Sequence, residues 1–388
     1  MTEAFVLGAV RTPLGKRNGA LAHTRPDELM ALTLRELVDR AGVDPGEIDD
    51  VLIGCVNAVG EQGRNIARVA SLAAGFPFSV PGVTMNRMCG SSQQALNFGA
   101  QAIMAGQQSL VICGGVESMS RVPLGSDAQG TELSRAVTER YEMGNQGIAA
   151  EMIADHWSIS REQLDEYSTE SHRRAARAWD DRRFADETFA VVSNPADSLL
   201  GGDGGDAVIT VDEGIRRTTT VEILGQLKPA YKEGGLVHAG NSSQITDGAA
   251  AVLLGDEATA HRLGLEPRVR IVATEVVGVD PVMMLHGVID ATKQLLAKAG
   301  LDASEVDLFE VNEAFASVVL AWQRELNVPF EKINVNGGAI ALGHPTGCSG
   351  ARLMTTLVHE MTRRGARYGV QTMCIGFGMA TATLVEAV

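Results

Sequence analysis

Apolar and polar positions alternate along this chain in two periods that take turns. Short apolar runs, "AFVLGAV", "VLIGCV" and "LVICGG", read as strands, the last of them buried on both faces. Between them lie stretches with helical spacing: residues 27–41 with Pro26 just before, residues 65–74, and the segment after Cys89 to about Ala105. A polar, irregular region follows from about Ser118 to Gln146, then the helical "REQLDEYSTESHRRAARAW" and a loop around "GGDGGD". Strand–helix alternation resumes after about Gly240. The pattern predicts an α/β fold.

The alternation also repeats. "AGVDPGEIDDVLIG" from Ala41 matches "AGLDASEVDLFEVN" from Ala299, and "VICGGVE" around Cys113 matches "TMCIGFG" around Cys374. The glycine-rich helix start at Cys89 corresponds to that around Gly347 in "GHPTGCSGAR". Shared anchors in the same order predict a duplication, which sets the two helix starts face to face.

Length and charge narrow the class. At 388 residues the chain calls for at least two core-forming units. A net charge of −15 argues against a grip on nucleic acid or an anionic membrane, and no apolar run is long enough to span a bilayer. Five widely spread cysteines suit reduced thiols and a cytoplasmic setting better than a disulfide framework.

Candidate chemistry clusters at strand–helix junctions. Cys89, in "VTMNRMCGSSQQAL", sits where a strand breaks into a helix; unpaired N–H groups there favour a thiolate. It is either a nucleophile or a small residue where packing is tight. His344, between Gly343 and Pro345, is either a base for a nearby thiol or a turn histidine bonded to backbone. Cys374 ends an apolar strand, and a buried structural cysteine is the plainer reading. Asn312 in "VNEAFA" can orient water or cap a helix, and "HAGNSSQITDGAA" can cradle a phosphate or pantetheine amide. Arg173, Arg174 and Arg177 read as a solvated face, and Met283 and Met284 as core filler. "GGDGGDAVI" has the spacing of one calcium-binding β-roll unit and reads more simply as a flexible loop; no metal-ligand motif occurs.

Together, "NRMCGSSQQA", "NEAFA", "NVNGGAIALGHPTGCSGAR" and "CIGFG" resemble the four motif blocks of the thiolase family, in order and over the full length. The resemblance implies two similar halves in a layered α/β/α/β/α arrangement with an inserted loop domain. The halves would be residues 1–117, completed by about 241–265, and residues 266–388, with the loop domain at 118–240. It implies thiolytic cleavage of 3-ketoacyl-CoA through an acyl-enzyme on Cys89, with His344 as base and Cys374 as acid/base at the α-carbon. Asn312, through a water, and His344 would form one oxyanion hole, and the N–H groups of Cys89 and Gly376 the other. Coenzyme A would act as co-substrate, with no prosthetic group and no metal. Its contacts by resemblance are Ser243, Arg216, Tyr231, Ala314 and Phe315. Acyl-CoA substrates and a homotetramer, a dimer of dimers, are the implied partners. Departures from the family's glycines at Ser92, Phe377 and Ala380 lean towards longer or unusual acyl groups rather than acetoacetyl-CoA. The alternatives are a biosynthetic acetoacetyl-CoA thiolase, a decarboxylating ketoacyl synthase and a catalytically weak acyl-CoA-binding scaffold.

Overall fold

A computed structural model describes residues 2–193 and 207–388; the "GGDGGD" loop lies outside them. The first half supplies strands β1 (Phe5–Arg11), β2 (Asp50–Gly54), β3 (Gly82–Met85), β4 (Leu110–Ser118) and β5 (Thr246–Gly255). The second supplies β6 (Val269–Gly278), β7 (Leu308–Val311), β8 (Tyr368–Ile375) and β9 (Met379–Ala387). Their order across one mixed sheet is β7-β8-β9-β6-β1-β5-β4-β2-β3, with the short strand Gly15–Lys16 added beside β5. Among the described residues the strands of the two halves pair in the ladder only at Phe5–Arg270 and Val6–Val269, so each half forms most of its sheet by itself.

Helices α1 (Pro26–Ala41) and α2 (Ile66–Ala73) cover one side of the first half. Pro26 is the first helical residue of α1, where its missing N–H costs nothing, and Gly42 ends the helix in the left-handed conformation. Helix α3 (Ser91–Met104) leaves the end of β3. The insertion contributes α4 (Gln146–His156) and one continuous helix, α5 (Arg161–Asp180). In the second half α6 (Gly287–Ala299) and α7 (Ala316–Leu326) cover the far side, and α8 (Ser349–Arg364) packs against α3 between the two sheets. The layers run α/β/α/β/α. The central pair mixes apolar packing with buried polar groups: α3 buries Ala95, Leu96, Ala100 and Ile103 against Met354, Leu357 and Val358 of α8, and Gln93, Asn97 and Arg352 are buried beside them.

The two halves share one register. Asp49 accepts the N–H groups of Ser109 and Leu110; Asp307, 258 positions on, accepts those of Arg367 and Tyr368. Asp50 pairs with Val111, and Leu308 with Gly369, at the same spacing. Helices α3 and α8 begin at Ser91 and Ser349, again 258 apart. This register corrects the match of Cys113 with Cys374. Cys113 pairs with Leu52, and its counterpart is Gln371, which pairs with Glu310. The counterpart of Cys374 is Val116. The "CGG" and "CIG" strings look alike but stand three residues out of step.

Two other expectations change. Arg174 is no solvated residue: it bonds Glu170 and the carbonyls of Phe330, Ile333 and Asn334, pinning α5 to the chain leading to His344. Met284 is buried as filler, yet it also lines an apolar pocket described below.

Candidate active site

The nucleophile candidate stands on a strained turn. After β3, Met88 adopts φ +47°, a conformation that costs an L-residue on the order of 1 kcal/mol or more. Side chains hold it there. Asn86 Oδ1 accepts the Met88 N–H at 2.8 Å while its amide donates to the Val56 carbonyl at 3.0 Å. Ser91 Oγ accepts from Arg87 N–H at 2.9 Å and donates to the Met88 carbonyl at 2.6 Å. Gly90 has to lack a side chain, because a Cβ would lie 2.4 Å from Ile375 of the other half. Cys89 thus sits at the start of α3, open to a cavity. Backbone N–H groups of Cys89 and Gly376 act on its sulfur, yet burial outweighs them and pushes the thiol up to about 11. The helix start does not make a resting thiolate. Cys89 rests as a thiol and needs a base.

His344 answers from the second half. Gly343 (φ +114°) lets the turn pass Thr246, which a Cβ would strike at 2.2 Å. The ring is bonded to side chains rather than to backbone. Ser349 Oγ donates to the Pro345 carbonyl at 2.9 Å and lies 2.5 Å from His344 Nδ1, so Nδ1 carries the hydrogen. Asn312 Nδ2 donates to Nε2 at 3.4 Å. Both contacts select the tautomer with its lone pair on Nε2, facing the cavity. Burial, then the charge of Arg352, holds the imidazole down at about 3, so it rests neutral.

Asn312 follows β7 and caps nothing; α7 starts at Ala316 with Phe315 as its cap residue. The amide of Asn312 also reaches Cys374, and its buried Oδ1 has no protein partner, which leaves it available to a water. Glu313 beside it is an anchor, accepting from Tyr167, Ser171, Asn334 and the Ile340 N–H. Cys374 ends β8, fully buried. Burial and the nearby Cys89 push its thiol up, so it too rests protonated.

Cys89, His344 and Cys374 line one cavity of about 140 Å³ together with Ser243, Tyr231, Ala314 and Phe315. The cavity opens two ways. A polar arm of about 600 Å³ is lined by Lys16, Arg17, Arg216, Tyr231 and Ser243. An apolar arm of about 560 Å³ is lined by Leu124, Leu133, Met143, Met284, Gly376 and Phe377. Ser243 donates its N–H to the Ala314 carbonyl at 2.9 Å, joining the "HAGNSS" turn to the "NEAF" turn. All ten residues singled out in the sequence therefore meet here. Sequence reasoning missed Ser349, Thr246, Leu124 and Gln146. Ser349 alone carried a signal, a hydroxyl at a helix start five residues after the histidine. Ser92, a departure from the family pattern, lies away from both arms and accepts the Ala351 N–H, tying α3 to α8.

Residues 4–258 match the thiolase N-terminal domain, and residues 265–387 the thiolase C-terminal domain. The chain belongs to the thiolase family. It is 46% identical to the steroid 3-ketoacyl-CoA thiolase FadA6 of Mycobacterium tuberculosis over all of this chain and 94% of that protein. It is 44% identical to the 3-ketoacyl-CoA thiolase of Bacillus subtilis over the full length of both. The crystal structure of the Bacillus anthracis acetyl-CoA acetyltransferase matches with a TM-score of 0.91 at 38% identity, covering 100% of this chain and 99% of that one. Within this thiolase the layered α/β/α/β/α arrangement is what carries the two helix starts to a common cavity.

Proposed function

We propose that this thiolase is an acyltransferase that cleaves 3-ketoacyl-CoA with coenzyme A, giving acetyl-CoA and a shortened acyl-CoA, and runs the reverse Claisen condensation. The observation that carries the reading is two thiols and one neutral imidazole on a single cavity between an apolar and a cationic arm. The relatives named as 3-ketoacyl-CoA thiolases support it.

The chemistry follows from the protonation states. His344 Nε2 takes the Cys89 proton as the sulfur attacks the keto carbon. The oxyanion that forms faces hydrogen-bond donors: the O–H of a water on Asn312 with the His344 N–H at one site, or the N–H groups of Cys89 and Gly376 at the other. The C–C bond then breaks, leaving the acyl group on Cys89 and an acetyl-CoA enolate. The Cys374 thiol gives that enolate its proton. Incoming coenzyme A transfers its thiol proton to the site and takes the acyl group, restoring both cysteines.

Coenzyme A fits the polar arm as co-substrate: Lys16, Arg17 and Arg216 outnumber Glu213 on its wall and make it locally positive in a chain of net charge −15, with Ser243, Tyr231, Ala314 and Phe315 near the thioester end. The volume and lining of the apolar arm favour acyl groups longer or bulkier than acetoacetyl. Thiolysis of a 3-ketoacyl-CoA panel, followed by the Mg²⁺-enolate absorbance, tests this. We expect long or ring-bearing chains to exceed acetoacetyl-CoA by roughly tenfold or more in kcat/KM. Acetoacetyl-CoA as the fastest substrate would favour the biosynthetic reading instead.

The same proposal extends to organisation. Residues 118–240 act as a loop domain inserted between residues 1–117 and 241–265, with residues 266–388 as the second half. Strand β3 is a sheet edge beside the exposed Leu72, Phe78, Val83 and Phe98, a surface suited to pairing with a second copy. The insertion exposes Leu124, Leu133 and Tyr141, which suits contacts between dimers. A cytoplasmic homotetramer is the assembly we propose; light scattering showing a monomer at micromolar concentration would refute it. Among the described residues no helix is long and apolar enough to cross a membrane.

A further inference from the structure

We propose that Glu117 is a positioning residue, a buried charged carboxylate that locks the His344 turn of one half onto the nucleophile-bearing half of the site. Glu117 ends β4 and is fully buried. Its Oε1 bonds within the first half, and its Oε2 bridges the two halves. Oε1 accepts from Asn57 N–H at 3.1 Å, Asn57 Nδ2 at 3.3 Å and Gln62 Nε2 at 2.7 Å, with the Cys55 thiol at 4.0 Å. Oε2 accepts from Val56 N–H at 2.9 Å, and across the junction from Gly347 N–H at 2.9 Å and Thr346 Oγ1 at 3.2 Å. Val56 and Thr346 both line the catalytic cavity, and Gly347 follows His344 by three residues.

The partners fix the charge state. Five of the seven hydrogen-bond donors are N–H groups, which offer nothing to a carboxyl O–H. A protonated Glu117 would waste a donor and forfeit contacts, so the group is ionised. Among the described residues no cation forms an ion pair with it. A buried carboxylate held by neutral donors alone keeps its field, where one paired with arginine would lose most of it. The room for a side chain is also limited. A Cβ on Gly347 would lie 2.7 Å from Glu117 Oε2 and 2.7 Å from the Cys55 Cα, so the turn and the carboxylate are fitted to each other.

Two consequences follow. The clamp sets where the imidazole stands relative to Cys89, since Thr346 and Gly347 are held to the same carboxylate as Val56 and Asn57. The field disfavours a second negative charge nearby: after burial, Glu117 adds to the upward shift of Cys89, Cys348 and Cys55. Other ionisable groups around these thiols are Arg352 on α8 and Arg11 on β1 near Cys348, Asp127 in the insertion near Cys55, Cys374 near Cys89, then His344, and Asp247 on β5. Asp247 is occupied by Ser118 and the Ser120 N–H. Glu117 therefore helps keep Cys89 a thiol until substrate arrives.

This inference rests on Cys89 as nucleophile and His344 as base. The test uses the full-length protein with Glu117→Gln and Thr346→Val, measuring steady-state thiolysis and the pH dependence of Cys89 alkylation by iodoacetamide, mapped by peptide mass spectrometry. Glu117→Gln removes the charge and sets an amide N–H against other donors. We expect kcat to fall on the order of a hundredfold, as a displaced catalytic group does, with KM changed less than about threefold. The alkylation midpoint moves to lower pH. Thr346→Val loosens the clamp and keeps the charge: kcat falls severalfold and the midpoint stays. Wild-type kcat in Glu117→Gln, or a midpoint that stays or rises, overturns the proposal. Should Glu117→Gln not fold, Thr346→Val decides alone, and wild-type kcat there overturns it. Retained turnover in a Cys89→Ala control would instead refute the catalytic reading, because the alkylation midpoint is read without turnover.

Discussion

The starts of α3 and α8 occupy the same place in the two halves, 258 residues apart, yet they do different work. In the first half the residue two before the helix is Cys89, raised on the strained Met88 turn. In the second the matching residue is Gly347, without a side chain, and His344 stands three residues earlier on the turn that Gly343 allows. The strand ends differ in the same way: Val116 fills the position that Cys374 holds in the second half. Duplication supplied two equivalent junctions facing each other, and substitution gave one a nucleophile and the other a base and a proton donor. Neither half holds a complete site.

The largest effect that breaks this comparison is on the nucleophile. Cys89→Ala should lower thiolysis by on the order of ten-thousandfold or more, the scale seen when a residue acting as part of a unit is deleted. Intact mass after incubation with acetyl-CoA should show no adduct. A label appearing on Cys55 or Cys348 in the wild-type protein would break the assignment. A smaller effect concerns specificity. Phe377 has φ +63° beside Gly376 and is half exposed to the apolar arm, so Phe377→Gly relieves backbone strain and widens that arm. Relative kcat/KM across chain lengths should change by about tenfold while the KM for coenzyme A stays within about twofold. An unchanged length profile would remove Phe377 from the acyl pocket. The smallest effect sharpens the register. Cys113 is buried against Gly99 of α3, far from the chemistry, so Cys113→Ala should cost about 1–2 kcal/mol in denaturant unfolding with thiolysis unchanged. Lost turnover in a stably folded Cys113→Ala would contradict the structural pairing of Cys374 with Val116.

Much of the site was legible because its residues sit at strand–helix junctions, where a break in periodicity falls beside glycine. Cys89 and His344 showed this, while Asn312 stood at a strand–helix junction without a glycine. The protonation state of Cys89 was not legible, since helix-start N–H groups are local and burial is set by the other half. The register of the repeat was misread at Cys113 because two short strings, each with a cysteine near a glycine, were accepted beside the match that sets Asp49 against Asp307, although they stand three residues out of step with it. Arg174 looked solvated because, besides Glu170 on its own helix, its partners are backbone carbonyls from residues 330–334, invisible to side-chain pattern. The Ser349 contact and the Glu117 clamp cross between segments far apart in sequence and left no local signal.

The central claim is that the two halves divide the chemistry, with acyl transfer on Cys89 and proton transfer on Cys374. Cys374→Ser separates them, because an alcohol is far less acidic than a thiol and cannot readily move the α-proton. Acetylation of Cys89 is only thioester exchange and should survive. The measurement is made on that one variant with acetyl-CoA in deuterated water: the adduct by intact mass, and exchange of the acetyl methyl hydrogens by nuclear magnetic resonance. The account predicts a retained adduct on Cys89 with exchange slowed by on the order of a thousandfold. Exchange at the wild-type rate would contradict it and leave Cys374 a structural cysteine at the end of β8.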